Sequence, residues 1–116
     1  MSKPVGPYTP VVRAGDYIFT SGQLGLFDGA LAAGGVEPEL EQAMKNLAAL
    51  LEGEGAAMSD VVKTTLFLTD MDHYAVVNEV YVAAFGDHRP ARSAVAVAAL
   101  PLGATIEIEA IAHVKG

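Results

Sequence analysis

The stretch from Ser93 to His113, SAVAVAALPLGATIEIEAIAH, contains the pattern that decides the fold. Its first part, Ser93–Ala99, alternates valine with alanine, and a strand that is apolar on both faces is typical of a sheet covered on both sides. Its last part, Ala104–His113, places isoleucine and glutamate alternately, as a strand with one core-facing side does. Leu100–Gly103 joins these two predicted strands.

The preceding sequence supplies the other elements of a β-β-α-β-α-β-β order, separated by glycine and proline. The periodicities predict a strand at Asp16–Ser21, two short apolar pieces around the Asp28-Gly29 turn within Leu24–Ala32, a helix over about Pro38–Gly53, a strand at Val61–Thr69 and a helix over about Asp72–Phe85. Two helices cover one face of such a sheet. Because Ser93–Ala99 is apolar on both faces, we expect another subunit to cover the second face.

The composition bounds the class of protein. A chain of 116 residues fits one domain, residues 1–116, and the absence of cysteine excludes disulfides and thiolate chemistry. Seven basic residues stand against fourteen acidic ones, giving a net charge of −7 with the basic residues scattered. Nucleic-acid binding is therefore not expected. No signal-peptide or membrane-spanning pattern is found, so we expect a cytoplasmic protein.

Metal and cofactor motifs are not found either. The three histidines, His73, His88 and His113, lack the spacing of metal ligands, and no nucleophile elbow, P-loop or dinucleotide fingerprint occurs. We expect neither a metal nor a cofactor.

Two places in the sequence carry charged side chains of the kinds that substrate binding and proton transfer require. Arg92 begins a strand of small apolar residues, where it either caps an exposed strand end or binds a carboxylate through two parallel hydrogen bonds. Glu107 and Glu109 share one face of the last strand, about 7 Å apart at Cα by the strand rise. They form either an ordinary solvated face or a general acid/base at a subunit cleft. Residue types alone favour the ordinary interpretation at both positions.

Four further residues have a structural and a functional interpretation. Tyr8, in Gly6-Pro7-Tyr8, either pins the N-terminus or lines a pocket. Ser21 and Gly22 end the first predicted strand, and glycine allows close backbone approach. Asn78 lies off the apolar stripe of the second helix, where a polar side chain is usually solvated.

Seven stretches, in order and spread over nearly the whole chain, together resemble the RidA/YjgF family. They are Gly6–Tyr8 (GPY), Phe19–Gln23 (FTSGQ), Asp60–Thr65 (DVVKTT), Phe67–Met71 (FLTDM), Val77–Tyr81 (VNEVY), Pro90–Ser93 (PARS) and Ile106–Ala112 (IEIEAIA). The resemblance implies an α/β (α+β) fold of the chorismate-mutase type, with a mixed sheet, two helices on one face and assembly as a homotrimer. It also implies active sites between neighbouring subunits.

The same resemblance implies a function and roles for residues. Arg92 would hold the substrate carboxylate, Glu107 would activate water, and Tyr8, Ser21, Gly22, Asn78 and the backbone of Ala94 would line the cleft. The implied reaction is cofactor-independent hydrolysis of 2-enamino or 2-imino acids, such as the 2-aminoacrylate released by pyridoxal-phosphate-dependent dehydratases, to 2-oxo acids and ammonia. The chain departs from the commonest members at Ala94, where many have cysteine, and at Gly25, where many have proline.

Three alternatives to an enamine/imine deaminase stay open at this point. One is a non-catalytic protein that binds or senses 2-oxo acids in the same cleft, which Arg92 would serve equally well but which would not need Glu107. Another is a ribonuclease, against which the net charge of −7 argues. A holdase-type chaperone has no specific sign in the sequence.

Overall fold

The structure, a computed structural model, describes residues 6–115. Its strands are β1 (Val11–Ala14), β2 (Tyr17–Thr20), β3 (Leu26–Phe27), β4 (Ala30–Leu31), β5 (Val61–Leu68), β6 (Ala91–Ala96) and β7 (Ile106–His113), and its helices are α1 (Val36–Gly53) and α2 (Tyr74–Phe85). Short 3-10 turns lie at Met58–Asp60, Met71–His73 and Pro101–Gly103.

Five strands form the main sheet in the order β1-β2-β7-β5-β6. β5 and β6 run parallel, while the other neighbouring strands are antiparallel, so the sheet is mixed. Both helices share one core with this sheet, and its buried strand residues alternate with more exposed ones. The predicted α+β fold with a mixed sheet and two helices on one face is confirmed.

The core lies between the helices and the sheet. It is built largely from Leu40, Leu47 and Leu51 of α1, Val77 and Tyr81 of α2, Leu66 and Leu68 of β5, and Ile106 and Ile108 of β7. Thr64 is fully buried among these apolar residues, and its hydroxyl lies 2.7 Å from the hydroxyl of Tyr81. This pairing satisfies two polar groups that would otherwise be costly to bury.

The N-terminal third of the fold differs from the predicted order in two ways. β1 was not predicted, because its four residues are mostly exposed and show no alternation; it forms a hairpin with β2 through Gly15 and Asp16. The predicted turn at Asp28-Gly29 is present, but Leu24–Ala32 contributes a separate two-stranded sheet and not a strand of the main one.

This small hairpin, β3–β4, is fixed to α1 by side-chain and backbone contacts. The Asn46 amide donates to the carbonyls of Leu24 and Leu26 at 3.1 and 2.9 Å. At Gly25 a Cβ atom would lie 2.2 Å from the carbonyl oxygen of Glu39, so no side chain fits there. The close approach gives a physical reason for a glycine at this position.

Element ends also differ from the predicted ones. α1 starts at Val36, two residues before Pro38, because proline is tolerated throughout a first turn, where its missing N–H would be unpaired anyway. α2 starts at Tyr74, after a 3-10 turn that contains Asp72. β6 runs from Ala91 to Ala96, and therefore begins earlier and ends earlier than the predicted Ser93–Ala99.

The sheet face opposite the helices is open in the single chain. Large apolar side chains on this face are substantially exposed, with 50% for Val12, 46% for Tyr17, 42% for Phe19 and 43% for Val95. A monomeric protein seldom exposes so many large apolar residues on one face. The expected uncovered face is therefore present.

Candidate functional site

Arg92 lies on edge strand β6 and points to the helix side of the sheet. It faces Thr64 across the β5–β6 ladder, and its Nη2 donates to the Tyr74 hydroxyl at 2.8 Å. The guanidinium carbon also lies 4.9 Å from the ring centre of Tyr81 and 5.4 Å from that of Tyr74. A guanidinium on aromatic faces is held in orientation and keeps most of its N–H groups available.

The tyrosines around Arg92 were not among the predicted site residues. Tyr74, Asn78 and Tyr81 stand four and three residues apart on α2, which places them on one stripe of the helix. That spacing was visible in the sequence, but the contact with Arg92 depends on how α2 crosses β6. Burial raises the pKa of Tyr81, and the hydrogen bond with Thr64 and the charges of Arg92 and Arg89 act in the opposite direction.

Asn78 is more enclosed than its place off the apolar stripe suggested. Its side chain is half-buried, and its Oδ1 atom is buried without a hydrogen-bond partner among residues 6–115. A buried amide oxygen that lacks a donor is uncommon and requires an explanation. The atom lies on the same stripe of α2 as the two tyrosines that contact Arg92.

Ala94 follows Arg92 on the same face of β6. The N–H of Val97, the residue after the end of β6, donates to the carbonyl of Leu68, the last residue of β5, at 2.8 Å. In a parallel strand every second residue directs its backbone N–H to the same neighbouring strand. Since Val97 directs its N–H to β5, the N–H groups of Arg92 and Ala94 point away from β5, to the outer edge of the sheet. The backbone of Ala94 is thus directed to the edge on which the Arg92 side chain lies.

Glu107 lies on β7 and points to the open face of the sheet. Gly22 packs directly against it: a Cβ atom at Gly22 would lie 2.5 Å from Cδ and 2.7 Å from Oε1 of Glu107. The approach is fixed by the neighbouring bridge in which Gln23 and Ile108 exchange N–H···O bonds of 2.6 and 3.0 Å. Burial raises the pKa of Glu107, and the negative charge of Glu109 on the same face raises it further.

Ser21 and Tyr8 belong to the same neighbourhood as Gly22. The Ser21 hydroxyl donates to the Thr9 carbonyl at 2.7 Å, and the Ser21 N–H donates to the Pro10 carbonyl at 2.8 Å. Tyr8 directly precedes this segment and turns back on itself, with its N–H bonded to the Gly6 carbonyl at 2.9 Å. Tyr8, Ser21, Gly22 and Glu107 therefore form one group around the end of β2.

The predicted site residues thus fall into two groups in a single chain. The first group is Arg92, Asn78 and Ala94, on the helix side of the β6 edge; the second is Tyr8, Ser21, Gly22 and Glu107, with its carboxylate on the open face. In the sheet, Glu107 of β7 pairs with Phe67 of β5, which in turn pairs with Val95 of β6. Strand β7 is therefore two strands away from β6, the strand that carries Arg92. Strand spacing and rise then put the Cα atoms of Glu107 and Arg92 about 14 Å apart, with side chains on opposite faces. One chain does not bring these two residues to one small molecule.

Neither group resembles a metal centre. Among residues 6–115, no cluster of three or more histidine, aspartate or glutamate side chains is arranged to hold a metal ion. Over the same residues, no helix has the length and hydropathy to cross a bilayer. The groups available for binding and catalysis are an arginine, hydroxyls, amides and one carboxylate, that of Glu107, whose pKa is raised.

The fold and these groups define a class: a small two-layer α+β protein with an arginine held against two tyrosines on an edge strand and a half-buried glutamate on the other face. Comparison with known proteins gives the family. The family model described as Endoribonuclease L-PSP matches residues 1–114. The chain belongs to this family, the RidA/YjgF family.

Three relatives show how close the similarity is. A solved structure from Thermotoga maritima is 50% identical, with a TM-score of 0.93 over 98% of this chain and 91% of that chain. The structure of RidA from an Antarctic Psychrobacter is 43% identical, with a TM-score of 0.92 over 97% and 92% of the two chains. The 2-iminobutanoate/2-iminopropanoate deaminase of Mus musculus is 47% identical over 110 residues, 93% of this chain and 82% of the relative.

Proposed function

We propose that the protein is an enamine/imine deaminase, a hydrolase that converts reactive 2-enamino and 2-imino acids into 2-oxo acids and ammonia in a cleft between the subunits of a homotrimer. The mouse relative with a deaminase name supports this reaction class. The observation that carries the proposal in this chain is the Glu107 carboxylate, which has a raised pKa and is held against Gly22.

Arg92 supplies recognition of the substrate. Every 2-imino acid carries a carboxylate next to its reactive carbon, and an oriented guanidinium binds this group with charge-assisted hydrogen bonds. Tyr74 and Tyr81 hold the guanidinium before any ligand arrives. Binding the carboxylate in a fixed orientation also fixes C2, the carbon at which water must add.

Glu107 supplies proton transfer. A general base works best when its pKa lies close to the operating pH, and burial beside Glu109 moves the pKa of Glu107 upward from its ordinary range. The base takes a proton from water as the oxygen bonds to C2 of the iminium, which gives a carbinolamine. Return of that proton to the nitrogen then lets the C2–N bond break: ammonia leaves, the hydroxyl oxygen forms the C2=O group, and the hydroxyl proton passes to the ammonia, which departs as ammonium. No electrons are exchanged, and one water is consumed.

The need for two subunits follows from the placement of Arg92 and Glu107. These residues point to opposite faces about 14 Å apart at Cα, whereas carboxylate and C2 are adjacent in the substrate. A second copy that covers the open face with its own edge strand brings its Arg92 toward the Glu107 of the first. The exposed apolar residues Phe19 and Val95 support such an assembly.

The alternative is a protein that binds 2-oxo acids without catalysis. Arg92 serves both functions, but pure capture of a carboxylate gains nothing from a glutamate in the same cleft. Glu107 therefore favours the deaminase. The name of the family model also refers to ribonuclease activity; RNA cleavage that declines as the protein is purified would assign that activity to a contaminant.

A coupled assay tests the proposal. A pyridoxal-phosphate-dependent serine or threonine dehydratase generates the imine, semicarbazide competes for it, and formation of the 2-oxo acid is followed with wild type, Arg92→Ala and Glu107→Ala. Acceleration by wild type that both variants lose supports the deaminase with both roles. Acceleration retained by Glu107→Ala would remove the base role, and no acceleration with dehydratase- or oxidase-derived imines would favour the binding protein.

A further inference from the structure

The Tyr74 hydroxyl is positioned to act with Arg92. It accepts a hydrogen bond from Nη2 of Arg92 at 2.8 Å, and among residues 6–115 it makes no other hydrogen bond. A phenolic hydroxyl has one hydrogen to donate besides the lone pairs through which it accepts. Since the guanidinium occupies a lone pair, the hydrogen is left for another acceptor. Tyr74 as a whole is 40% exposed in the single chain, so a ligand can reach it.

We propose that Tyr74 is a substrate-binding residue: its hydroxyl accepts from Arg92 and donates its own hydrogen to the carboxylate that Arg92 binds. This inference rests on the proposed function. It makes the anchor for the carboxylate a composite of one cation and one polarised hydroxyl. Hydrogen bonds in such a chain strengthen each other, because the cation makes the phenol a better donor.

The surroundings of Tyr74 support a ligand at this place. Asn78 follows one helical turn later on the same stripe of α2, and its buried Oδ1 lacks a donor within the described residues. Tyr81, three residues further, carries the face on which the guanidinium rests and is itself held by Thr64. The stripe of α2 thus provides an available donor at Tyr74 and an unpaired acceptor at Asn78, next to the oriented cation of Arg92 on β6.

Two other roles for Tyr74 explain fewer of its observed contacts. A ring that only supported Arg92 would not require a hydroxyl, since Arg92 already rests on Tyr81. A purely structural hydroxyl would be buried and paired within the core, as that of Tyr81 is with Thr64. The Tyr74 hydroxyl instead lies at the accessible end of the Arg92 side chain.

Tyr74→Phe tests the proposal because it removes one oxygen and keeps the ring under Arg92. We expect the dissociation constant for pyruvate, measured by titration calorimetry, to rise roughly tenfold or more, as for a lost hydrogen bond to a charged group. KM for the imine should rise by a similar factor while kcat changes little, since the lost contact is made in ground and transition state alike. Val82→Ala, on the exposed side of the same helix, is the control, and its binding should equal that of wild type.

The outcomes separate this inference from the proposed function. Turnover by wild type together with unchanged KM and pyruvate affinity in Tyr74→Phe would overturn the role of Tyr74 and leave the deaminase intact. Weaker pyruvate binding by Tyr74→Phe in a protein that shows no turnover would support the composite anchor and reject the deaminase. A fall in kcat with a lower melting temperature and unchanged pyruvate affinity would show that the hydroxyl serves the fold, and would also overturn the inference.

Discussion

The carboxyl group of Glu107 lies where a side chain at residue 22 would have to be. A Cβ atom added to Gly22 would come within 2.5 Å of Cδ and 2.9 Å of Cγ of Glu107. Such distances are shorter than any relaxed contact between these atoms, so one of the two groups must move. Because the Gln23–Ile108 bridge holds the backbone beside Gly22, the side chain of Glu107 is the part that yields.

Gly22→Ala should therefore lower activity as a substitution of Glu107 itself would, because it displaces the Glu107 carboxylate. We expect kcat/KM for imine hydrolysis to fall about 100-fold, the usual effect of displacing a catalytic group by an ångström. Gly53→Ala is the matched control, because a Cβ atom there meets nothing within 4 Å. Steady-state kinetics on both variants measure the effect; equal activity of Gly22→Ala and wild type would show that the position of Glu107 is unimportant.

The raised pKa of Glu107 predicts a pH dependence. With Glu107 as the proposed general base, activity requires its carboxylate form, so kcat/KM should rise with pH through an inflection above the ordinary glutamate value of 4.5. In Glu109→Gln the neighbouring negative charge is absent, the pKa of Glu107 falls, and the inflection should move to lower pH. The inflection should vanish in Glu107→Gln. A pH–rate profile that is identical in wild type and Glu109→Gln would contradict the assignment of Glu107 as the base.

The buried pair of Thr64 and Tyr81 should stabilise the fold beneath Arg92. Thr64→Val keeps the shape but leaves the Tyr81 hydroxyl without its 2.7 Å partner, at a cost of about 1–3 kcal/mol in the free energy of unfolding. The double variant Thr64→Val/Tyr81→Phe removes both polar groups and should cost less than the sum of the single changes. Chemical denaturation measures all three; strict additivity would indicate that the two hydroxyls do not interact.

The sequence predicted the fold well where patterns were long and poorly where they were short. The alternation in the predicted strand Ala104–His113 and the periodicity of the predicted helix Pro38–Gly53 located β7 and α1 to within two residues at their starts and correctly at their ends, because each element buries a regular set of side chains. β1 was missed because its four residues bury almost nothing. Leu24–Ala32 was assigned to the main order because a hairpin signal does not say which sheet the hairpin joins.

The candidate site shows the same limit. Arg92 and Glu107 were chosen by chemistry and by resemblance, and strand parity alone places the side chain of each on a definite face. That these faces are opposite depends on the β5–β6 and β5–β7 registers, which no local pattern encodes. Tyr74 was overlooked because its importance arises from the crossing of α2 over β6, a tertiary relationship.

Two equally exposed valines allow a test of the open sheet face. Val95 on β6 is 43% exposed and Val82 on α2 is 44% exposed in the single chain. If other subunits cover the open face, Val95→Asp buries a charge and should yield monomers without activity, whereas Val82→Asp should leave assembly unchanged. Light scattering coupled to size exclusion reports the mass. A trimer that tolerates Val95→Asp would place the interface elsewhere.

Mixing two inactive variants tests whether each site takes its residues from two chains. In an assembly made of only one of the variants Arg92→Ala and Glu107→Ala, every site of the proposed kind lacks one group. After the two proteins are unfolded and refolded together, a site that draws Arg92 from one subunit and Glu107 from its neighbour is complete in about a quarter of random arrangements. We therefore expect the mixture to regain about a quarter of wild-type activity, while each variant refolded alone remains inactive. If both residues served the same site from one chain, every site in the mixture would still lack one of them. Activity would then stay at the level of the separate variants, and the opposite orientation of Arg92 and Glu107 would have to be explained without a shared cleft.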